Sequence, residues 1–410
     1  MWNWFKKKDE STARAVRPLK KAIAILPYNN FEYFRKTLDG ILSQHIDNRS
    51  VLEDFDLFIF QDALQERHSA SNAQYEEIKK YCEEKIPLVR FHRQEKNQGI
   101  ALQFDYAETF LFSTEKYDVV ILCEHDFVMA PNYLNVVSNL INQFADDERI
   151  AAVSAHSSGY RASQEEQQQR KNEYVVMGHD WGAAVFRRAW LKRVSVMSAY
   201  YELLRGIPFE QRNNLLIHAW MRFLGFYEGS TSQDTIKACV DSALGQLRIS
   251  SFPNLGTYIG EQGMHWDRTI YESFGYHQTV LFQGEYGKPA SLGAEQFQKL
   301  LAQQQASYLA NAAQWDQHAF KKRIENNDLM IEVTPNLLRF DATSEDVVAA
   351  YKFFLNRFPE SLAVIESRIG KPISQLLRSF LLSDECLNRQ ENWPIIIEAA
   401  KRVIEKNKQK

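Results

Sequence analysis

The sequence lacks several features that mark common functional classes. Its four cysteines, Cys82, Cys123, Cys239 and Cys386, lie far apart and show no paired spacing. They suggest neither a thiolate zinc motif nor a disulfide framework, and they fit a reducing compartment. Basic residues are not in excess, because 49 Lys and Arg stand against 52 Asp and Glu. We therefore expect no nucleic-acid partner, which would call for a basic excess or a clustered basic face.

Long apolar runs are also missing, and none approaches the roughly 20 residues of a membrane-spanning helix. Without a spanning segment or a secretion signal, the sequence predicts a cytosolic protein. The first eight residues, 1–8, combine two Trp and one Phe with three Lys. This tip could contact the inner face of an anionic membrane, although a frayed, solvated terminus is the simpler interpretation.

What the sequence does contain is enough apolar material for a large packed core. Apolar residues make up 45% of the 410 positions, and 26 of them are Phe. The length allows a core domain of roughly 200–300 residues and a smaller unit. We predict an N-terminal tail at 1–20, a catalytic domain at 21–285, a connecting helical segment at 286–340 and a C-terminal helical module at 341–410.

Short apolar strands and amphipathic helices alternate over the first 130 residues. The predicted strands cover 22–26, 55–60, 88–91 and 119–123, with helical spacing between them. Repeated β-α units of this kind indicate an α/β fold, Rossmann-like, with a mostly parallel sheet covered by helices. Ligands of such sheets bind beyond the carboxyl ends of the strands. We therefore expect the binding and catalytic side chains among the polar residues that follow each strand.

The most specific feature follows the fourth predicted strand, in the run Cys123-Glu124-His125-Asp126-Phe127. Two carboxylates around one intervening residue can face a divalent cation that bridges two phosphates. Hard oxygen ligands favour Mn²⁺ or Mg²⁺ over zinc. An acidic triplet alone is more often a solvated strand end, but its position in the β-α series favours function.

The run Gly178-His179-Asp180-Trp181-Gly182 is a second candidate. Glycines allow close approach of the backbone, a carboxylate can hold sugar hydroxyls, and an indole face can stack on a pyranose ring. The simpler alternative is a tight turn with a surface acid.

Further candidates each have a structural alternative. Asp234 follows a Ser-rich run and could act as a base or as the N-cap of a predicted helix at 236–244. Asp241 is a second acid nearby that could be mistaken for that base. Arg93, after the third strand, could meet a diphosphate or be a solvated charge. His265 could be a metal ligand or an ordinary loop histidine.

Taken together, the segments AIAILPYNN, FIFQDA, Asn97-Gln98-Gly99 and CEHDFVMAPNYL resemble GT-A fold glycosyltransferases. The likeness extends over about residues 20–285. The chain is most similar to the N-acetylglucosaminyltransferases that initiate complex N-glycans, which carry a Glu-Asp-Asp triplet after a similar strand. It also resembles bacterial family-2 type enzymes.

This resemblance implies a role for each matching residue. Pro27, Tyr28, Asp62, Arg93, Asn97 and Gly99 would border the nucleotide donor, and Glu124 would lie near its ribose or hydroxyls. Asp126 would be the direct metal ligand and His265 would complete the metal or diphosphate site. His125 stands where the family has Asp, which leaves its role open. Gly178, Asp180, Trp181 and Gly182 would position donor or acceptor, and Asp234 would be the catalytic base.

The resulting hypothesis is a metal-dependent glycosyltransferase that moves a sugar from a UDP-sugar to a hydroxyl of a glycan or glycoconjugate, with inversion. A retaining enzyme on the same fold is one alternative, and a non-catalytic carbohydrate-binding or partner-binding protein is another. A nucleotidyltransferase ranks third, because no Gly-rich phosphate loop follows the first strand. By analogy, the absence of a membrane anchor points to a bacterial enzyme of polysaccharide biosynthesis. The C-terminal module could dock a partner protein or pack on the catalytic domain.

Overall fold

The computed structural model describes residues 17–86, 89–207, 209, 212, 214–263, 267–286, 290–326, 341–381 and 383–387. Two sequence predictions fall outside these residues: the aromatic-basic tip at 1–8 and the candidate metal ligand His265.

The strands of the described chain are short, and most residues of the central sheet are buried. In chain order they are β1 Lys21–Leu26, β2 His45–Ile46, β3 Arg49–Ser50, β4 Asp56–Gln61, β5 Arg90–Arg93, β6 Val119–Glu124, β7 Phe127–Met129, β8 Ile150–Ser154, β9 Tyr174–Val176, β10 Ala183–Phe186, β11 Leu247–Ser251 and β12 Gly256–Tyr258. Eight of them form the central sheet in the order β5-β4-β1-β6-β10-β8-β11-β9, and β7 pairs with β12 beside it.

The sheet is mainly parallel, which confirms the predicted α/β class. β5, β4, β1 and β6 are parallel neighbours, and β8 and β11 form a further parallel pair. β10 and β9 run antiparallel to their neighbours. The chain extends the sheet from β1 through β4 to β5 on one side and then returns to place β6 on the other. A crevice for ligands is expected at such a reversal, outside the carboxyl ends of the strands.

Helices connect these strands and cover both faces of the sheet. They are α1 Phe31–Leu42, α2 Val51–Asp54, α3 Asn72–Lys85, α4 Ile100–Thr109, α5 Tyr133–Phe144, α6 Gln164–Gln169, α7 Arg187–Glu202, α8 Asn214–Leu224, α9 Gln233–Ala243, α10 Arg268–Ser273, α11 Ala294–Tyr308, α12 Gln317–Glu325, α13 Ser344–Leu355, α14 Leu362–Glu366, α15 Ile373–Leu381 and α16 Asp384–Leu387.

The period-two pattern of β1 divides the core into two layers. Ile23 and Ile25 pack with Phe34 and Leu38 of α1 on one face. Ala22 and Ala24 face the opposite layer, which includes Phe104 of α4. The short side chains at these positions let α4 approach the sheet and bring its amino end to the strand ends.

A further apolar core lies among helices α7, α8, α9, α11 and α12, and it fixes α9 beside the sheet. The C-terminal helices α13 to α16 have their own apolar cluster, which includes Val347, Tyr351 and Phe380. Within the described residues, none of the helices is both long and apolar enough to cross a membrane.

Candidate functional site

Asp62 is the first residue after β4, and it joins this strand end to the loop that precedes α4. Its Oδ1 accepts the Gln98 amide at 2.9 Å, and its Oδ2 accepts the Gly99 amide at 2.8 Å and Asn97 Nδ2 at 3.0 Å. Burial raises the pKa of Asp62, and the backbone donors oppose this shift. Gly99 is required here because its φ of 75° lies in the left-handed region. The carboxylate is thus fixed at the mouth of the sheet.

Tyr28, in the loop after β1, is linked to this carboxylate by a short network of hydrogen bonds. Its hydroxyl contacts His68 Nδ1 at 2.8 Å and accepts the Gln65 amide at 3.1 Å. Gln65 Nε2 donates to Asn97 Oδ1 at 2.8 Å, and the Asp62 amide donates to the Pro27 carbonyl at 3.4 Å. The structure therefore brings the predicted nucleotide-side residues Pro27, Tyr28, Asp62, Asn97 and Gly99 together.

Arg93, the remaining predicted nucleotide contact, points to helix α3. Its Nη1 pairs with both carboxylate oxygens of Glu76 at 2.9 Å, and its Nε donates to Gln61 Oε1 at 2.9 Å. The guanidinium also covers the Tyr75 ring. Its positive charge is already balanced by Glu76, which weakens the case for a diphosphate contact.

The acidic triplet forms the end of β6 and the turn into β7. Glu124 is the last residue of β6, and His125 and Asp126 make the turn. The His125 carbonyl accepts the Thr37 hydroxyl of α1 at 2.8 Å, which holds the turn against the first helix. Burial lowers the pKa of the His125 ring, which also hydrogen-bonds to the backbone of Leu26. The middle position of the triplet is thus a neutral imidazole rather than a third acid.

Asp126 is held by Tyr258, the last residue of β12, whose hydroxyl donates a hydrogen bond to the carboxylate. Its Oδ1 is buried and has no hydrogen-bond partner among the described residues. A Cβ added at Gly260 would lie 2.5 Å from Oδ2. A side chain larger than that of glycine at this position would therefore clash with the carboxylate.

Glu124 lies on the other side of the turn and accepts a hydrogen bond from the Trp181 indole. Burial and the neighbouring charges of Asp126 and Asp234 raise the pKa of Glu124 well above its usual range, while Lys237 acts in the opposite direction. Burial likewise raises the pKa of Asp126. Several like charges that converge in a buried place are typical of a functional site.

The Gly178–Gly182 segment contributes an aromatic stack to this site. His179 lies flat on Trp181 with ring centroids 4.2 Å apart, and Trp181 lies flat on Tyr258 at 4.3 Å. The segment ends at Gly182, whose φ is 66° and whose Cβ would meet Tyr133 Oη at 2.7 Å. The indole has a ring on each face, so a sugar ring cannot stack on it as the sequence suggested without displacing one of them.

Asp180 is buried and forms an ion pair with Arg248 of β11. It is not the surface acid of a simple turn, which was the structural alternative from the sequence. Its charge is balanced within the protein, and this geometry favours a role in fixing the segment.

Asp234 lies in the first turn of α9, with Ser232 as the N-cap residue. Asp234 is therefore not the helix cap. Its charge contributes to the raised pKa of Glu124 and opposes the lowered pKa of His179, so Asp234 lies within electrostatic range of both groups. Asp241, the other acid on α9, is fully buried and pairs with Arg193 at 3.0 Å.

A divalent cation fits the donor atoms present at Asp126. The described residues contain no group of three His, Cys, Asp or Glu side chains that would hold a metal by themselves. Mg²⁺, however, is commonly bound by one or two carboxylates, with substrate phosphates and water completing its shell. The orphaned, buried Oδ1 of Asp126 is the kind of hard oxygen ligand that such a cation uses.

Sequence reasoning missed Tyr258, Arg248 and Lys237. Tyr258 lies between Gly256 and Gly260, which follow β11. Glycines at such spacing indicate a place where the backbone closely approaches other groups. A basic residue in the buried strand β11 was a second signal, because buried charges need partners.

The mainly parallel sheet and the acidic triplet at the end of β6 define the GT-A fold class. Residues 5–177 match the model of the GNT-I family. This match confirms the resemblance to GT-A glycosyltransferases that the motifs indicate. It covers fewer than half of the 410 residues and ends at Met177, so the aromatic segment and Asp234 lie beyond it. No curated protein matches the chain in sequence.

Solved structures are similar to the chain only remotely. A crystal structure of GalNAc-T7 with UDP, GalNAc and Mn²⁺ has 12% identity and a TM-score of 0.40, and the match covers 76% of this chain and 55% of that one. Residues 1–349 of S. aureus TarS have 10% identity and a TM-score of 0.35, with coverage of 94% and 92%. The bifunctional glycosyltransferase WbbM has 12% identity and a TM-score of 0.27, with coverage of 47% and 35%.

Proposed function

We propose that the chain transfers a sugar from a nucleotide donor, a UDP-sugar, to a hydroxyl of a glycan or glycoconjugate, with a divalent cation and with inversion. One observation carries the proposal. Three acids from different elements, Glu124, Asp126 and Asp234, converge where β6 ends, in the crevice expected to bind a ligand.

The donor nucleotide would lie across the carboxyl ends of β1 and β4. Asp62 is fixed by three backbone amides and can accept a hydrogen bond from a base or ribose. Tyr28 borders the same crevice through its contacts with His68 and Gln65. From there the diphosphate would reach Asp126 at the end of the neighbouring strand β6.

Mn²⁺ or Mg²⁺ bound at Asp126 would act as a Lewis acid that offsets the charge developing on the departing diphosphate. The role of Tyr258 is to orient that carboxylate by its hydrogen bond. His265 stays a candidate second ligand, although it lies outside the described residues.

Asp234 would remove the proton of the acceptor hydroxyl as the hydroxyl oxygen attacks the anomeric carbon. Its place on the first turn of α9, opposite Glu124, suits a base that approaches from the acceptor side. The transition state would resemble an oxocarbenium ion, as in glycoside hydrolysis. Glu124 would hold donor hydroxyls, and Trp181 would fix Glu124 by its indole hydrogen bond.

The direct test is a panel of nucleotide sugars, each incubated with the protein and Mn²⁺ and assayed for release of the nucleoside diphosphate. Release from at least one UDP-sugar, and its loss on chelation, is the expected result. Asp234→Asn should then lose turnover while it binds UDP as tightly as the wild type. Glu345→Gln is the matched control, because it removes an acid from the same position in the first turn of α13. Undiminished transfer by Asp234→Asn would remove this residue from the mechanism.

A further inference from the structure

One buried network joins six charged side chains that lie in distant parts of the sequence. Each is at most 6% exposed. The network contains three acids and three bases, and its members are Glu108, Asp180, Arg193, Lys237, Asp241 and Arg248.

The contacts run in series through four elements of the fold. Glu108 of α4 accepts Lys237 Nζ at 2.6 Å and Arg193 Nη2 at 3.3 Å through its Oε1. Arg193 of α7 then donates to Asp241 Oδ2 at 3.0 Å. Asp241 of α9 lies 3.7 Å from Arg248 Nε of β11. The formal charges cancel along this series, so every charge has an opposite partner.

Arg248 is the residue through which the network reaches the candidate site. Its Nη2 pairs with Asp180, which directly precedes Trp181. Its Nη1 lies 3.4 Å from the carbonyl oxygen of Asp234 and donates a hydrogen bond to it. One guanidinium therefore fixes both the segment that supports Glu124 and the helical turn that carries Asp234.

Stability alone is a weak reason for this arrangement. Buried ion pairs commonly gain little over well-packed apolar residues, because both charges lose their hydration. A guanidinium that binds several partners does fix their geometry, because its planar fork directs several N–H groups at once. A lysine carries the same charge as a single point and cannot hold two partners in this way.

We propose that Arg248 is a positioning residue that sets the distance between the Trp181–Glu124 side of the site and Asp234. The inference rests on the proposed function, in which Asp234 is the base. A misplacement of about 1 Å between reacting groups can cost on the order of a hundredfold in rate. Loss of the fork should therefore lower kcat. The affinity for the donor nucleotide should stay the same, because Arg248 does not contact Asp62 at the nucleotide end of the site.

The test compares Arg248→Lys with Arg188→Lys. Arg188 is a suitable control because its Nη2 donates to the carbonyls of Phe144, Asp147 and Ile150, none of which belongs to the buried network. Arg248→Lys should lower kcat on the order of tenfold to a hundredfold, with little change in the donor KM. Arg188→Lys should leave both constants unchanged. Folding of each variant is checked by circular dichroism.

A second readout does not depend on activity. Amide hydrogen exchange over 178–182 and 233–236 should be faster in Arg248→Lys than in the wild type and unchanged in Arg188→Lys. If Arg248→Lys does not fold, Asp241→Asn, which removes the acid beside Arg248 Nε, should accelerate the same amides more weakly. Wild-type kcat in a folded Arg248→Lys, or unaltered exchange in both segments, would overturn the inference. A wild-type protein that releases no nucleotide from any donor overturns the proposed function instead, whatever the exchange shows.

Discussion

Tyr258 and Asp126 are joined by a hydrogen bond that crosses from β12 to the turn after β6. The pairing of β12 with β7 sets this contact, because Tyr258 lies opposite Phe127 in the ladder. The bond orients the carboxylate while its Oδ1 keeps no protein partner among the described residues. One carboxylate oxygen is thus fixed and the other is left for a ligand. Hydrogen-bond partners of metal-binding side chains commonly orient them in this way.

Tyr258→Phe should weaken metal-dependent nucleotide binding without unfolding the protein. The ring would keep its stacking on Trp181, and only the hydroxyl that orients Asp126 would be lost. Loss of such an orienting partner typically costs about 10-fold to 100-fold in metal affinity. Titration of Mn²⁺ in the presence of UDP, followed by calorimetry, checks this. An unchanged Mn²⁺ affinity would show that the hydroxyl does not orient the ligand.

Gly260→Ala should disrupt the site by steric contact. The new Cβ would meet Asp126 Oδ2 at 2.5 Å, so the carboxylate or the loop must move. We expect loss of Mn²⁺-dependent UDP binding and a stability loss of about 1–3 kcal/mol. Gly229→Ala is the control, because its Cβ would make only ordinary contacts of 3.6 Å with Tyr227. If both variants bind UDP equally well, Asp126 is not confined as described.

Asp62→Asn should weaken nucleotide binding by the same factor with and without metal. The change replaces an acceptor of three backbone amides by a side chain that also carries donors, and it loosens the 97–99 loop. A loss of about 1.4 kcal/mol corresponds to a tenfold weaker Kd. UDP titrations with Mn²⁺ and with chelator measure it. Asp39→Asn, which weakens contacts with Tyr81 and Arg35 and leaves the 97–99 loop untouched, serves as the control. A loss confined to the Mn²⁺ titration would place Asp62 at the diphosphate instead.

Asp241 predicts a specific pH dependence of stability. Burial raises the pKa of Asp241 to about 6, against the opposing charge of Arg193. The native state therefore holds a proton that the unfolded chain has already released, and this group makes the protein less stable as pH rises from about 4 to about 6. Asn cannot titrate. The free energy of unfolding of the wild type minus that of Asp241→Asn should fall by roughly 2 kcal/mol between pH 4 and 7. Urea titrations across this range measure it, and a difference that rises with pH would contradict the assignment.

Much of the sheet and part of the site follow from local patterns. The apolar runs that form β1, β4 and β6 are short, buried and bounded by polar residues, so the positions of these strands were predicted correctly within one residue. The strand-end rule brought Asp62 and Asp126 to one edge because parallel strands share that edge.

The rest depends on contacts between residues far apart in sequence. Arg93 also follows a strand, but α3 brings Glu76 against it, and no local pattern reveals that pairing. Tyr258 reaches Asp126 only because β12 pairs with β7. Similarly, Asp180 sits between glycines as a turn acid would, yet Arg248 of β11 lies beneath it. Tertiary packing therefore determines the partner of each of these side chains.

The most direct test of the central claim is calorimetric titration of UDP into the protein with Mn²⁺, with chelator, and with Mn²⁺ in the Asp126→Asn variant. We predict tight binding in the first titration and a comparable loss in the other two, because in the proposed function the nucleotide and Asp126 share one cation. Equal UDP affinity in all three titrations would contradict it.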